Sequence, residues 1–126
     1  MQLTIIRGLP GSGKTTTAKK LGVAHHYEAD MYFMKDGKYV FKQDEVGLAH
    51  KWCQLQVRAA LQEGADAVVS NTFCMQWEIQ PYIDMAKEYG AEIILIECTG
   101  NFTSIHGVPQ EVMQRMAEKW EDTIVI

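Results

Sequence analysis

Eight consecutive residues carry the clearest chemistry in this sequence: Gly8-Leu9-Pro10-Gly11-Ser12-Gly13-Lys14-Thr15. They satisfy the pattern G-x-x-x-x-G-K-[ST], the loop that wraps the phosphates of a bound nucleotide. The residue types have physical reasons. Glycines at 8, 11 and 13 let backbone amides turn toward an anion with no Cβ in the way. Those amides, with the N-terminus of a helix starting near Lys14, make an anion cradle. Lys14 supplies charge for the β and γ phosphates, and the Thr15 hydroxyl suits Mg²⁺. Pro10, Ser12 and Thr16 complete the set expected to border the nucleotide. ATP and Mg²⁺ are the ligands this pattern implies.

Such a loop works only between a strand and a helix, so the flanking elements matter. Leu3–Arg7 reads as a buried strand, and Lys14–Leu21 as a helix stopped by Gly22. His26–Ala29 suggests a second short strand ending beside Asp30, and Asp36-Gly37 is a turn signal. Val46, Ala49, His50, Cys53, Val57, Ala60 and Leu61 recur at helical spacing before Gly64. His50 lies on that apolar stripe and reads as a packed side chain. Ala67–Ser70 is a third strand leading into Asn71-Thr72, and a helix is expected over Gln76–Tyr89, with Pro81 in or near its first turn. Glu92–Cys98 has the length and apolarity of a strand, and Gly100–Val108 is a polar loop. Pro109 then opens a last helix to about Glu121, and Thr123–Ile126 offers a short fifth strand. Helices and strands alternating in this way indicate an α/β domain built on a parallel sheet.

Length and composition limit the function classes. A chain of 126 residues fits one domain, 1–126, with 47% apolar and 22% charged residues. No stretch approaches the roughly 18 apolar residues of a membrane span, so no membrane partner is expected. The short run before the glycine loop is a poor signal peptide, which leaves the cytoplasm as the expected location. Cys53, Cys74 and Cys98 are scattered, and the four histidines lack ligand spacing, so neither a disulfide framework nor a zinc site is indicated. The net charge of −4 is unlike that of proteins holding nucleic acid mainly by its phosphates. Lys35, Lys38 and Lys42, interrupted by Asp36, read as a solvated loop. Oligomeric state leaves no mark in the sequence.

With the loop placed, further motifs become recognisable: Arg7–Thr15, Ala29-Asp30-Met31-Tyr32, Ala49-His50-Lys51-Trp52, Ser70-Asn71-Thr72-Phe73, Trp77-Glu78, Tyr82 and His106-Gly107-Val108-Pro109. Together they resemble a family of small phage-type and bacterial P-loop proteins related to the kinase domain of polynucleotide kinase–phosphatase. The resemblance implies a three-layer P-loop NTPase with a parallel sheet of order 2-3-1-4-5 and a short lid, here Gly100–Val108, over the ATP. It also implies that Asp30 accepts the proton of an attacking hydroxyl; with Asn71 in place of the usual carboxylate, ordering Mg²⁺ through water is a second role open to Asp30.

The chain departs from that pattern in three places. Phe33 stands where the relatives carry a substrate-gripping arginine, and Asn71-Thr72-Phe73 stands where they carry Asp-Thr-Asn. The lid segment has no arginine, leaving His106, with Arg115 on the last helix, as the cations expected to meet the nucleotide. Three activities stay open: a kinase acting on a hydroxyl such as a nucleic-acid 5′ end, a nucleotide-binding module or switch with little chemistry, and a kinase for a nucleoside or other small molecule.

Overall fold

Short β-branched runs and longer amphipathic stretches sort themselves into strands and helices in a computed structural model, which describes residues 1–100 and 108–126. The main sheet contains β1 (Gln2–Arg7), β2 (His25–Tyr27), β5 (Ala67–Asn71) and β6 (Glu92–Glu97). A hairpin of β3 (Met34–Lys35) and β4 (Lys38–Tyr39) stands apart from it. Among the described residues there are four α-helices: α1 (Lys14–Lys20), α2 (Val46–Gln62), α3 (Gln76–Tyr89) and α4 (Gln110–Lys119).

The sheet order is β2-β5-β1-β6, and every neighbour is parallel. Alternation along β1 sends Leu3 and Ile5 to one face and Thr4 and Ile6 to the other. On the first face, Leu3, Ile5 and Val69 are sealed by Cys53, Val57 and Leu61 of α2 and by Ile79 and Ile83 of α3. On the second, Ile6 and Val68 lie under Ala18 of α1. Burying side chains of this size contributes about 1.5–3 kcal/mol each before entropy is counted. The expected stops act as such: Gly22 and Gly64 take left-handed φ values of 65° and 77°, open to glycine at no steric cost.

Several boundaries differ from the sequence reading. Thr123–Ile126 does not join the sheet, so the order is four-stranded and β6 forms its edge. The Gln76 side chain holds this segment instead. Its Oε1 accepts from the Val125 amide at 2.8 Å, and its Nε2 donates to the Val125 carbonyl at 2.7 Å. Ile124 packs on the main core, so the segment runs beside α3 and not along β6. β2 is shorter than expected, because Ala29–Phe33 coil into a 3-10 turn that carries Asp30. Pro81 lies in the second turn of α3, and the carbonyl it leaves without a helical donor belongs to exposed Trp77. Pro109 caps α4 from outside the helix. Asp36-Gly37 is the expected turn, with both residues at positive φ, and it closes the hairpin between β3 and β4.

Candidate active site

In a parallel sheet the carboxyl ends of all strands point the same way, and the loops that follow them share one edge. Here that edge gathers the glycine loop after β1, the segment Glu28–Asp30 after β2, Asn71 at the end of β5 and Cys98 after β6. Backbone bonds tie the loop to both neighbours: the Gly8 amide donates to the Thr72 carbonyl (3.2 Å), and the Cys98 amide donates to the Arg7 carbonyl (2.8 Å).

The loop has the conformation its glycines allow. Gly11 and Gly13 have φ values of 80° and 94°, which a side chain would strain. At Gly8 the limit is space, because a Cβ would run into Ser12 Oγ and come within 2.8 Å of the Cys98 carbonyl oxygen. The Ser12 hydroxyl is buried, with no hydrogen-bond partner among the described residues. Lys14 begins α1, and its ammonium donates to the Leu9 carbonyl at 3.1 Å. Burial lowers the Lys14 pKa, while the nearby charges of Glu28 and Asp30 oppose that shift. The charge is thus half-sheltered and already faced by anions. Pro10 and Gly11 sit half-buried on the loop, and Thr16 is exposed on α1.

The opposing wall comes from the end of β2. Thr15 Oγ1 donates to Glu28 Oε1 at 3.1 Å, and Glu28 Oε2 lies 2.8 Å from His26 Nε2. Asp30 follows in the 3-10 turn and accepts from the Tyr39 hydroxyl of the hairpin at 3.1 Å. Burial, then Asp30 itself, pushes the Tyr39 pKa up to about 12, so the phenol stays a donor through neutral pH. His50 is half-buried on α2; burial lowers its pKa and the Asp30 charge works against that. Sequence reasoning placed His50 in the core, and the structure adds that it senses Asp30.

Asn71 and Phe33, at two of the three departures from the family pattern, have structural work here. Asn71 Oδ1 accepts from the Ala29 amide at 2.8 Å, and its Nδ2 points to Cys53 Sγ at 3.8 Å. This fixes the segment carrying Glu28 and Asp30 to the end of β5. Phe33 is 3% exposed and packs edge-on to Tyr32 and Tyr39 and against Phe41, anchoring the hairpin.

Among the residues proposed from sequence, the structure brings Lys14 and Thr15 together with the Glu28–Asp30 segment. Arg115 is exposed on α4, with no hydrogen bond or ion pair to the loop among the described contacts. His106 and most of the proposed lid lie outside the described residues. Glu28 and Tyr39 escaped the sequence reading. Glu28 carried no clear signal, because the 3-10 turn that starts at Ala29 breaks the strand alternation by which its side could be read. Tyr39 had none either, because only the hairpin brings it to Asp30.

A cavity of about 290 Å³ lies against the loop, lined by Leu9, Ser12, Cys98 and Gly100 and closed by Ala117 and Trp120 around α4. A larger one, about 540 Å³, sits at the start of α3 between Trp77, Asp84 and Glu121 and has no cation to meet a phosphate. The loop site is the better fit to a metal–nucleotide complex. Its donors are oxygens only, the Thr15 hydroxyl with the Glu28 and Asp30 carboxylates, as a hard cation such as Mg²⁺ prefers. Its glycine-built cradle holds a buried hydroxyl that no described residue satisfies.

Comparison with known proteins agrees with this geometry. Residues 3–102 match the family described as AAA domain. Human NEDD4-binding protein 2 is 30% identical over 94% of this chain, which spans only 8% of that protein's length. Among solved structures, the Pnkp1/Rnl/Hen1 complex aligns over 90% of this chain and 38% of the other with a TM-score of 0.64 at 21% identity. A gluconokinase from Sinorhizobium meliloti 1021 aligns over 96% of this chain and 75% of its own, with a TM-score of 0.58 at 14% identity. The expected resemblance to a polynucleotide kinase domain is therefore met at the level of fold, and no helix among the described residues is long and apolar enough to cross a membrane. With the glycine loop at the carboxyl edge of a parallel sheet and most of its length matched, the chain belongs to the AAA domain family, and its fold is like that of solved P-loop kinases.

Proposed function

We propose that this domain is an ATP- and Mg²⁺-dependent kinase that moves the γ-phosphoryl group of ATP to a hydroxyl acceptor. The carrying observation is the facing pair of walls: the cradle with Lys14 and Thr15 on one side, and Asp30, near enough for its charge to act on Lys14, on the other. In the proposed reaction the acceptor oxygen forms a bond to the γ phosphorus, the bond from that phosphorus to ADP breaks, and the hydroxyl proton passes to the Asp30 carboxylate. A neutral hydroxyl is a weak nucleophile, so a carboxylate within hydrogen-bond reach serves as general base. Mg²⁺, when bound through Thr15, neutralises developing phosphate charge. Lys14 and the loop amides hold the phosphates in line, which is most of what this chemistry requires of a protein. The cavity between Leu9, Cys98 and Trp120 is offered as the seat of the nucleoside.

The hairpin supports an acceptor that carries a phosphate. It delivers the Tyr39 hydroxyl to Asp30 and pairs Lys35 with Lys38 across its short ladder. Like charges directly opposite one another repel, a cost that a phosphate bound on that face of the hairpin would relieve. A nucleic-acid 5′ end or a phosphorylated small molecule meets that need. A second reading, a nucleotide-binding switch with little chemistry, draws support from Asn71, whose amide is already taken up by the backbone of Ala29. Incubation with γ-labelled ATP, Mg²⁺ and a panel of 5′-hydroxyl oligonucleotides, nucleosides and sugars separates the readings. Label on an acceptor establishes the kinase; nucleotide binding with neither transfer nor hydrolysis across the panel removes it in favour of the switch.

A further inference from the structure

We propose that Glu28 is the carboxylate that positions the metal ion of the bound nucleotide; this rests on the reading that the loop takes ATP with Mg²⁺. P-loop sites hold their cation between the loop hydroxyl and an acidic side chain. The end of β5, next to β1 in the sheet, offers no acid for that duty: Asn71 is uncharged, and its oxygen is engaged by the Ala29 amide. The carboxylate that reaches the Thr15 hydroxyl comes instead from the next strand over, at 3.1 Å.

Three further features fit this assignment. Both Glu28 and His26 have side chains only 13% exposed, and their 2.8 Å contact fixes the plane of the carboxylate. Glu28 is the leading charge acting on Lys14, which places it on the phosphate side of the site. The Asn71 bond to Ala29 sets the backbone next to Glu28, so the neutral residue at the end of β5 places the charged one at the end of β2. Glu28 thus acts through the cation and its waters, as a positioning residue, while Asp30 two residues later faces the acceptor.

Glu28→Gln tests this, because it removes the charge while leaving an oxygen for Thr15 to donate to. ATP affinity would be measured by calorimetry with Mg²⁺ and again in EDTA, alongside Mn²⁺ affinity for the protein–ATP complex by paramagnetic resonance. A residue that orients a metal's surroundings typically changes metal affinity about 10–100-fold. The wild-type protein should bind ATP more tightly with Mg²⁺, and the variant should lose about that factor of the gain. In EDTA the variant should bind ATP as well as or better than wild type, since a negative charge near the phosphates is gone. Weakening by the same factor in both conditions would mean a structural role and overturn the proposal, as would an undiminished Mg²⁺ gain. If Glu28→Gln does not fold, Glu28→Asp replaces it. One methylene shorter and still charged, it should lose the Mg²⁺ gain with affinity in EDTA equal to wild type; an undiminished gain or an equal loss in both conditions would overturn the proposal. A wild-type protein that binds ATP in neither condition would fail the underlying nucleotide reading, a result distinct from failure of Glu28 alone.

Discussion

Arg7 is the side chain whose removal the structure predicts most sharply. It is 0% exposed at the end of β1, one residue before the glycine loop. Its Nε and Nη2 donate to the Phe73 carbonyl at 3.0 and 2.9 Å, and Nη2 also donates to the carbonyls of Cys74 (3.2 Å) and Glu121 (2.8 Å). Nη1 reaches Glu97 at 3.3 Å, and the guanidinium lies 3.7 Å from the centre of the Trp120 ring. One planar fork therefore ties the end of β5 and the segment after α4 to the strand beneath the phosphate loop. Lysine cannot replace it, because an ammonium on a flexible stem does not span these acceptors.

Arg7→Met keeps the length and the apolar stem but orphans three carbonyls, each costing about 1–3 kcal/mol if it stays buried. Loss of the contact with Trp120 adds about 1 kcal/mol. The Glu97 pair adds little, because that carboxylate is 41% exposed and screened by water. We expect a loss of about 4 kcal/mol, within the range for breaking a buried charged cluster from one side. For a domain of this size that is a fall in Tm on the order of 15 °C. Urea unfolding should show the midpoint shift with an unchanged slope. Arg7→Lys should lose about half as much, and Glu97→Gln less than about 1 kcal/mol. If Arg7→Met loses less than about 1 kcal/mol, the three carbonyls are satisfied without Arg7 and the assignment fails.

Three more outcomes follow from the same geometry. Lys14→Ala should weaken ATP binding about 10–100-fold with the fold intact, since one charge-assisted bond is lost at a half-buried position; calorimetry with circular dichroism checks both halves. Asp30→Asn should keep the bond from Tyr39 and ATP affinity while slowing transfer by about 10²–10⁴; wild-type turnover would remove Asp30 from the chemistry, and a joint loss of Mg²⁺-dependent affinity would show that it also orders the cation. His50 has a folded pKa below its ordinary value, so the folded state disfavours its proton. Stability should be level above about pH 6.5 and fall as pH drops below it until the folded pKa is reached, with a slope from this residue of at most about 1.4 kcal/mol per pH unit. In His50→Asn that contribution should vanish, as chemical unfolding at pH 5.5 and 7.5 would show.

The legible parts of the fold were those set by short-range physics. Gly8–Thr15 could be read because each glycine answers a local demand of the backbone, and Gln76–Tyr89 because its period and ends agree. What escaped reading depends on partners distant in sequence. Thr123–Ile126 has strand-forming residues, yet the Gln76 amide takes both polar groups of Val125 across 49 positions. Arg7 looks like the polar end of an apolar strand; only contacts up to 114 positions away show it wholly buried. Tyr39 meets Asp30 because the turn at Asp36-Gly37 folds the chain back, which a turn signal announces without saying what it will touch.

The two substitutions that weakened the kinase reading in the sequence are explained by one arrangement. Phe33 and Asn71 occupy places where a ligand-facing arginine and a metal-facing aspartate were expected, and both turn inward. Phe33 holds the hairpin through its aromatic neighbours, and the hairpin carries Tyr39 to Asp30 and presents Lys35 and Lys38. Asn71 holds the Ala29 amide, and the chain on either side carries Glu28 to Thr15 and Asp30 toward the acceptor. At Asn71 the missing charge is answered nearby by one that the replacement residue helps to place, the Glu28 carboxylate beside the loop hydroxyl. The proposed transfer draws on this placement, with Lys14 in the field of Glu28 and Asp30 and Tyr39 held as a donor on Asp30.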